Sequence, residues 1–169
     1  MSEAVVARPS AVPPLRAAAA ARLVALLLPL ALLGGAFGSE YLGHLIPCEM
    51  CWWQRYAHLA AVPLAALAFT AAAESQRSRA FTLLAALAIA VSGAIGVYHA
   101  GVELKIFEGF TQCTANGHVT LESIIKAPLI RCDQVQWSFL GISMAGWNAI
   151  LSLCGAAVII FLTLKDKRR

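Results

Sequence analysis

Apolar positions along this chain gather into four long stretches, at residues 23 to about 41, 52–73, 80 to about 99 and 139–164, in place of the alternating or one-sided patterns of soluble strands and helices. Each is close to the length needed to cross a hydrocarbon core of about 30 Å, which takes roughly 20 helical residues at a rise of about 1.5 Å each. Pro29, Pro63 and Gly93 fall inside these stretches. They are tolerated in lipid because neighbouring helices re-satisfy the freed backbone groups. The pairs Ala60-Ala61, Ala65-Ala66 and Ala85-Ala86 let helix backbones approach closely. The pattern predicts an all-α, polytopic membrane protein built as a four-transmembrane-helix bundle.

Composition strengthens that reading. Of 169 residues, 60% are hydrophobic and only 13% are charged, and the mean hydropathy is +0.73, which excludes an ordinary soluble domain. The net charge of +4 does not mark a nucleic-acid surface, because Lys and Arg cluster at the ends of the apolar stretches. Nine of them (Arg8, Arg16, Arg22, Arg77, Arg79, Lys165, Lys167, Arg168, Arg169) flank one side; Arg55, Lys105, Lys126 and Arg131 flank the other. By the positive-inside rule both termini are cytoplasmic and the loops at about 42–51 and 101–136 face outward. The expected organisation is a cytoplasmic tail at 1–21, a membrane domain at 22–164 and a basic tail at 165–169. A cleaved signal peptide ending near Ala36 and Gly38 is the competing reading of the N-terminus. It would leave three spans and invert the basic C-terminus, so the first span is read as retained.

The cysteines then sort by compartment. Cys48 and Cys51 lie at the first outer loop, Cys113 and Cys132 in the second, and Cys154 deep in the fourth stretch. An oxidising outer side favours disulfides, so the four outer thiols read as a redox pair plus a loop pair, and Cys154 as a small apolar packing residue. Pro47 predicts a helix starting near Cys48, where the macrodipole and a nearby cation favour a thiolate.

Arg55, one turn after Cys51, shares its helix face. It is a candidate both to stabilise a Cys51 thiolate and to donate to the oxygen of a bound acceptor ring. The alternative for Arg55 is a snorkelling side chain. His58 is a candidate to line the same acceptor site, or a satisfied buried histidine. Trp52 and Trp53 mark the membrane interface. In the second outer loop Leu121, Ile124 and Ile125 follow helical spacing, with Thr120 as N-cap and Pro128 as stop, which predicts a short amphipathic interfacial helix. The bland reading of Cys113 and Cys132 is a structural loop disulfide.

Several segments together resemble the bacterial disulfide bond formation protein B (DsbB) family. They are Cys48-Glu49-Met50-Cys51 with Trp52-Trp53-Gln54-Arg55-Tyr56, Tyr98-His99-Ala100-Gly101-Val102-Glu103, the loop cysteines Cys113 and Cys132, and the run from Cys132 through Trp137 to Ala145. The resemblance covers about residues 23–164. It implies a thiol:quinone oxidoreductase that reoxidises a periplasmic DsbA-like thioredoxin-fold protein and passes two electrons to ubiquinone or menaquinone. It further implies Cys113 as the partner-linked sulfur, a Cys48–Cys132 interloop intermediate, and Cys51 as electron donor to the quinone, its thiolate held by Arg55. The 113–132 stretch is shorter than in well-known members, and Glu108 stands where some carry a histidine. His99 and Glu103 match a recurrent family motif and either act on protons or close the helix end.

Three alternatives carry different expectations. A vitamin K epoxide reductase-like enzyme would place its CxxC on the last bundle helix, the reverse of the order here. A structural zinc site would use all four outer cysteines. A plain membrane protein would use them as two stapling disulfides, and losing Cys51 would then harm folding rather than turnover. The reading adopted includes no resident metal.

Overall fold

The computed structural model describes residues 14–109 and 131–167. The chain forms helix α1 (Pro14–Tyr41), α2 (Glu49–Ala68), α3 (Gln76–Glu103), a hairpin of strands β1 (Ser138–Phe139) and β2 (Ile142–Ser143), and α4 (Met144–Lys167). α1 packs against α2 and α4, α3 packs against the same two, and α1 and α3 sit diagonally across the bundle. Among the described residues, three helices are long and apolar enough to cross a membrane, at Ala17–Tyr41, Gln76–Glu103 and Met144–Lys165. α2 is shorter, with 20 residues, and is not among them. The chain is a helical membrane protein.

Small side chains set the interior. Ala25, Ala61, Ala65, Ala85, Ala86 and Ala156 are buried together around Ile89 and Ile159. In lipid such contacts hold helices through close packing rather than through exclusion of water. The backbones of α3 and α4 come close at Gly96, where an added Cβ would lie 3.0 Å from both the Ala145 carbonyl oxygen and the Ala149 nitrogen of α4.

Element boundaries depart from expectation in two places. α1 begins at Pro14, inside the expected tail, because proline suits a first helical position and the alanines that follow are strong helix formers. The fourth apolar stretch does not start as a helix at Phe139. Leu140 (φ 53°) and Gly141 (φ 76°) form a two-residue turn that pairs Ser138 with Ser143 and Phe139 with Ile142, so the fold is not purely helical. Ser143 Oγ then caps α4 by accepting from Gly146 N at 3.1 Å. Cys154 lies exposed on the outer face of α4 and not in the core, a correction to its expected packing role. The predicted interfacial helix and Cys113 lie outside the described residues.

The C-terminus of α3 positions the Cys132 segment. Lys105 adopts a left-handed conformation (φ 61°) after the cap residue Leu104. Lys105 N then bonds the Val102 carbonyl at 3.0 Å and Ile106 N the Gly101 carbonyl at 2.8 Å, closing the helix. The Lys105 ammonium donates to the Asp133 carbonyl at 2.9 Å and to its carboxylate at 2.5 Å. Gln136 Nε2 donates to the Ile46 carbonyl at 2.9 Å, tying the same segment to the α1–α2 loop.

Candidate active site

The expected helix start at the CxxC is present. Cys48 is the N-cap of α2 in an extended conformation, and its sulfur accepts from Cys51 N at 3.4 Å. Cys48 Sγ lies 3.0 Å from Cys51 Sγ. Cys132, fully buried, packs with Cys48, Met50 and Val102, and Cys51 and Tyr98 border this cluster. The fold thus brings three of the four expected thiols together across about 80 residues of sequence.

Both CxxC sulfurs precede the apolar stretch that begins at Trp52, and they are pushed in opposite directions. The Cys48 thiol is driven well above its usual range, first by donating its hydrogen to Cys132 and then to Cys51, with burial adding to this. Cys51 is pushed down, first by accepting the Cys48 S–H, against an opposing effect of burial. The Arg55 charge acts on Cys51 in the expected direction but is the smallest of the causes.

Arg55 does not snorkel. It is buried, ion-paired with Glu40 of α1, and donates through Nη2 to the Ala36 carbonyl at 2.9 Å. Its guanidinium carbon stands 4.8 Å from the Phe37 ring centre and 4.9 Å from that of Trp52. Glu40 is a partner that the sequence reading missed.

A cavity of about 680 Å³ opens beside these groups. Cys48, Cys51, Arg55 and His58 all line it, together with apolar side chains such as Leu32, Leu33, Leu45 and Ile46. His58 borders the cavity, and its Nε2 lies 2.9 Å from Asn148 Oδ1. Its Nδ1 is buried without a hydrogen-bond partner among the described residues. Glu108 does not line the cavity; its backbone carbonyl takes the Tyr98 hydroxyl at 2.5 Å.

Sequence reasoning also missed a buried polar group between α2, α3 and α4. Gln54 Nε2 lies 3.0 Å from His99 Nδ1, Asn148 Nδ2 donates to Gln54 Oε1 at 2.7 Å, and His99 Nε2 is 3.6 Å from Cys48 Sγ. The signal was present as i, i+4 pairs on apolar helices: Gln54 with His58, Asn148 with Ser152, His99 with Glu103. The ligand atoms of Cys48, Cys51 and His99 lie within 4.8 Å of one another, near enough to share a cation. Gln54 takes the lone pair of His99 Nδ1, which leaves the hydrogen on Nε2 and makes His99 a donor here rather than a ligand.

The family described as "Disulfide bond formation protein DsbB" matches residues 18–162, nearly the whole chain. The chain belongs to the DsbB family. It is 32% identical over 149 residues to disulfide bond formation protein B 2 of Pseudomonas entomophila, covering 80% of this chain and 84% of that one. It is 30% identical to disulfide bond formation protein B of Aromatoleum aromaticum, over 76% and 82% of the two chains. An uncharacterised protein of Rickettsia prowazekii is 26% identical over 84% of each chain. No solved structure matches. As a DsbB-family member the chain is a membrane oxidoreductase that forms disulfides.

Proposed function

We propose that this DsbB-family chain is an inner-membrane thiol:quinone oxidoreductase that reoxidises a periplasmic DsbA-like protein. The carrying observation is Cys132 buried against Cys48, which with Cys51 and Arg55 lines the cavity. In this reading α2 completes a four-span bundle with both termini cytoplasmic and the cysteines periplasmic.

The contact between Cys132 and Cys48 supports the second of two thiol exchanges. A partner thiolate bonds to Cys113 Sγ, breaks a Cys113–Cys132 disulfide and releases Cys132 as thiolate. Cys132 Sγ bonds to its neighbour Cys48 Sγ, which breaks the Cys48–Cys51 bond and leaves the electron pair on Cys51 Sγ. Cys51 receives it within reach of the Arg55 charge, which favours its thiolate.

A quinone, ubiquinone or menaquinone, supplies a lipid-soluble acceptor for two electrons and two protons. The cavity fits such a ring in volume and in its largely apolar wall. Arg55 provides donors for a ring oxygen. His58 Nδ1, unpartnered and buried, provides an acceptor for a hydroxyl.

The test mixes detergent-purified protein with a reduced thioredoxin-fold oxidant and quinone and follows quinone absorbance. Cys51→Ala is expected to abolish quinol formation, and Arg55→Ala to keep residual turnover with a raised quinone KM. Unchanged turnover in Cys51→Ala rejects the assigned donor.

A further inference from the structure

The buried polar side chains form a chain whose hydrogen-bond direction is fixed by backbone carbonyls, which only accept. Gln54 Nε2 faces the Met50 carbonyl at 3.1 Å, so this atom is the amide nitrogen and Oε1 receives Asn148 Nδ2. Asn148 Nδ2 likewise faces the Ser92 carbonyl at 3.2 Å, so its Oδ1 receives the Nε2–H of His58 and, at 3.1 Å, the Ser152 hydroxyl. The second amide hydrogen of Gln54 goes to His99 Nδ1. Neutral His99 therefore carries its hydrogen on Nε2, toward Cys48 Sγ at 3.6 Å. The backbone carbonyl of Cys132, another group that only accepts, also bonds this ring. Cys48 in turn faces Cys51 at 3.0 Å, with Cys132 as the competing acceptor for its one hydrogen.

Every link points the same way. We propose that this one-directional chain, His58 to Asn148 to Gln54 to His99 to Cys48, ends on the Cys51 sulfur and holds it as the anionic member of the reduced pair. His99 and Asn148 are then positioning residues for Cys51. Bonds that donate in series polarise one another, so a donor several links away still strengthens the last one. Arg55 cannot carry this role alone, because Glu40 already takes its charge. The proposal rests on the reading of Cys51 as electron donor and applies to the fully reduced pair, in which Cys48 carries its hydrogen.

The charged and titratable groups around the pair are Glu49, Arg55 and His58 from α2, His99 and Glu103 from α3, and Arg131 and Cys132 from the segment before β1, with Glu40 of α1 paired to Arg55. On the α4 side, Asn148 is a neutral amide, so that helix acts through hydrogen bonds and not through charge.

The test alkylates fully reduced, full-length protein in detergent with iodoacetamide across a range of pH and reads Cys51 modification by peptide mass spectrometry. His99→Leu is expected to leave about tenfold less Cys51 thiolate at neutral pH, the effect of losing one donor in a bond to an anion. His99→Gln, which offers an acceptor to Gln54 and a donor to Cys48, is expected to restore most of it. Asn148→Leu, further from the sulfur, is expected to lower Cys51 reactivity about threefold. A Cys51 profile unmoved by both leucine variants, or moved equally by His99→Leu and His99→Gln, overturns the relay. Quinone takes no part in this readout. A Cys51→Ala variant that still reduces quinone removes the functional reading while the alkylation result stands.

Discussion

Arg55 of α2 and Glu40 of α1 form an ion pair in the wall beside Cys51, with side chains 6% and 20% exposed. A carboxylate near the C-terminus of a helix opposes the macrodipole, so the pairing is what retains Glu40 there. Removing one partner of a largely buried pair strands the other, at a cost on the order of 3 kcal/mol. Glu40→Ala is therefore expected to lower thermal stability in detergent and to raise the quinone KM several-fold by releasing the Arg55 head. Unchanged melting and KM would show that the pair positions nothing.

The Cys132 segment is held by charge. The Arg131 guanidinium first, and Lys105 after it, keep the Asp133 carboxyl well below the usual carboxylate range. A depressed carboxyl stabilises the folded arrangement above its unfolded pKa of about 3.9 and loses that contribution only as pH falls toward its folded value. The wild-type advantage over Asp133→Asn in Cys48–Cys132 exchange is expected to be a few-fold, constant across neutral and mildly acidic pH, and closing only in strong acid. Because the group is exposed, high salt is expected to shrink it. Quench-flow alkylation followed by gel mobility reads the exchange rate.

Helix contact at Gly96 supports the polar group next to it. Gly96→Val is expected to cost about 1–3 kcal/mol through overpacking against the α4 backbone, read as a lowered melting temperature in detergent. Gly34 has open space around it, and Gly34→Ala is expected to melt no lower than wild type.

The reach of the sequence is clearest at Cys48. Proline before it, a CxxC and an arginine one turn on are all local signals, and the helix cap and cavity wall formed there as expected. What stayed hidden is tertiary. Glu40 reads from sequence only as one more outer-side acid; its partner Arg55 lies on another helix. Gln54, Asn148 and Ser92 take no role from the sequence, since nothing local tells which three helices meet. The hairpin at 138–143 was misread because Phe139, Leu140 and Ile142 carry the same apolarity as a helix, whereas the turn is set by Gly141 and the cap by Ser143.

The central claim is that Cys132 exchanges with Cys48 and leaves Cys51 as the free electron donor. It is tested most directly in the Cys51→Ala, Cys113→Ala double variant, which retains Cys48, Cys132 and Cys154. After mild oxidation and non-reducing proteolysis, mass spectrometry is expected to recover a peptide joined by a Cys48–Cys132 disulfide, with Cys154 free. Recovery of Cys48 and Cys132 as separate free thiols, or of Cys132 joined to Cys154, would contradict it.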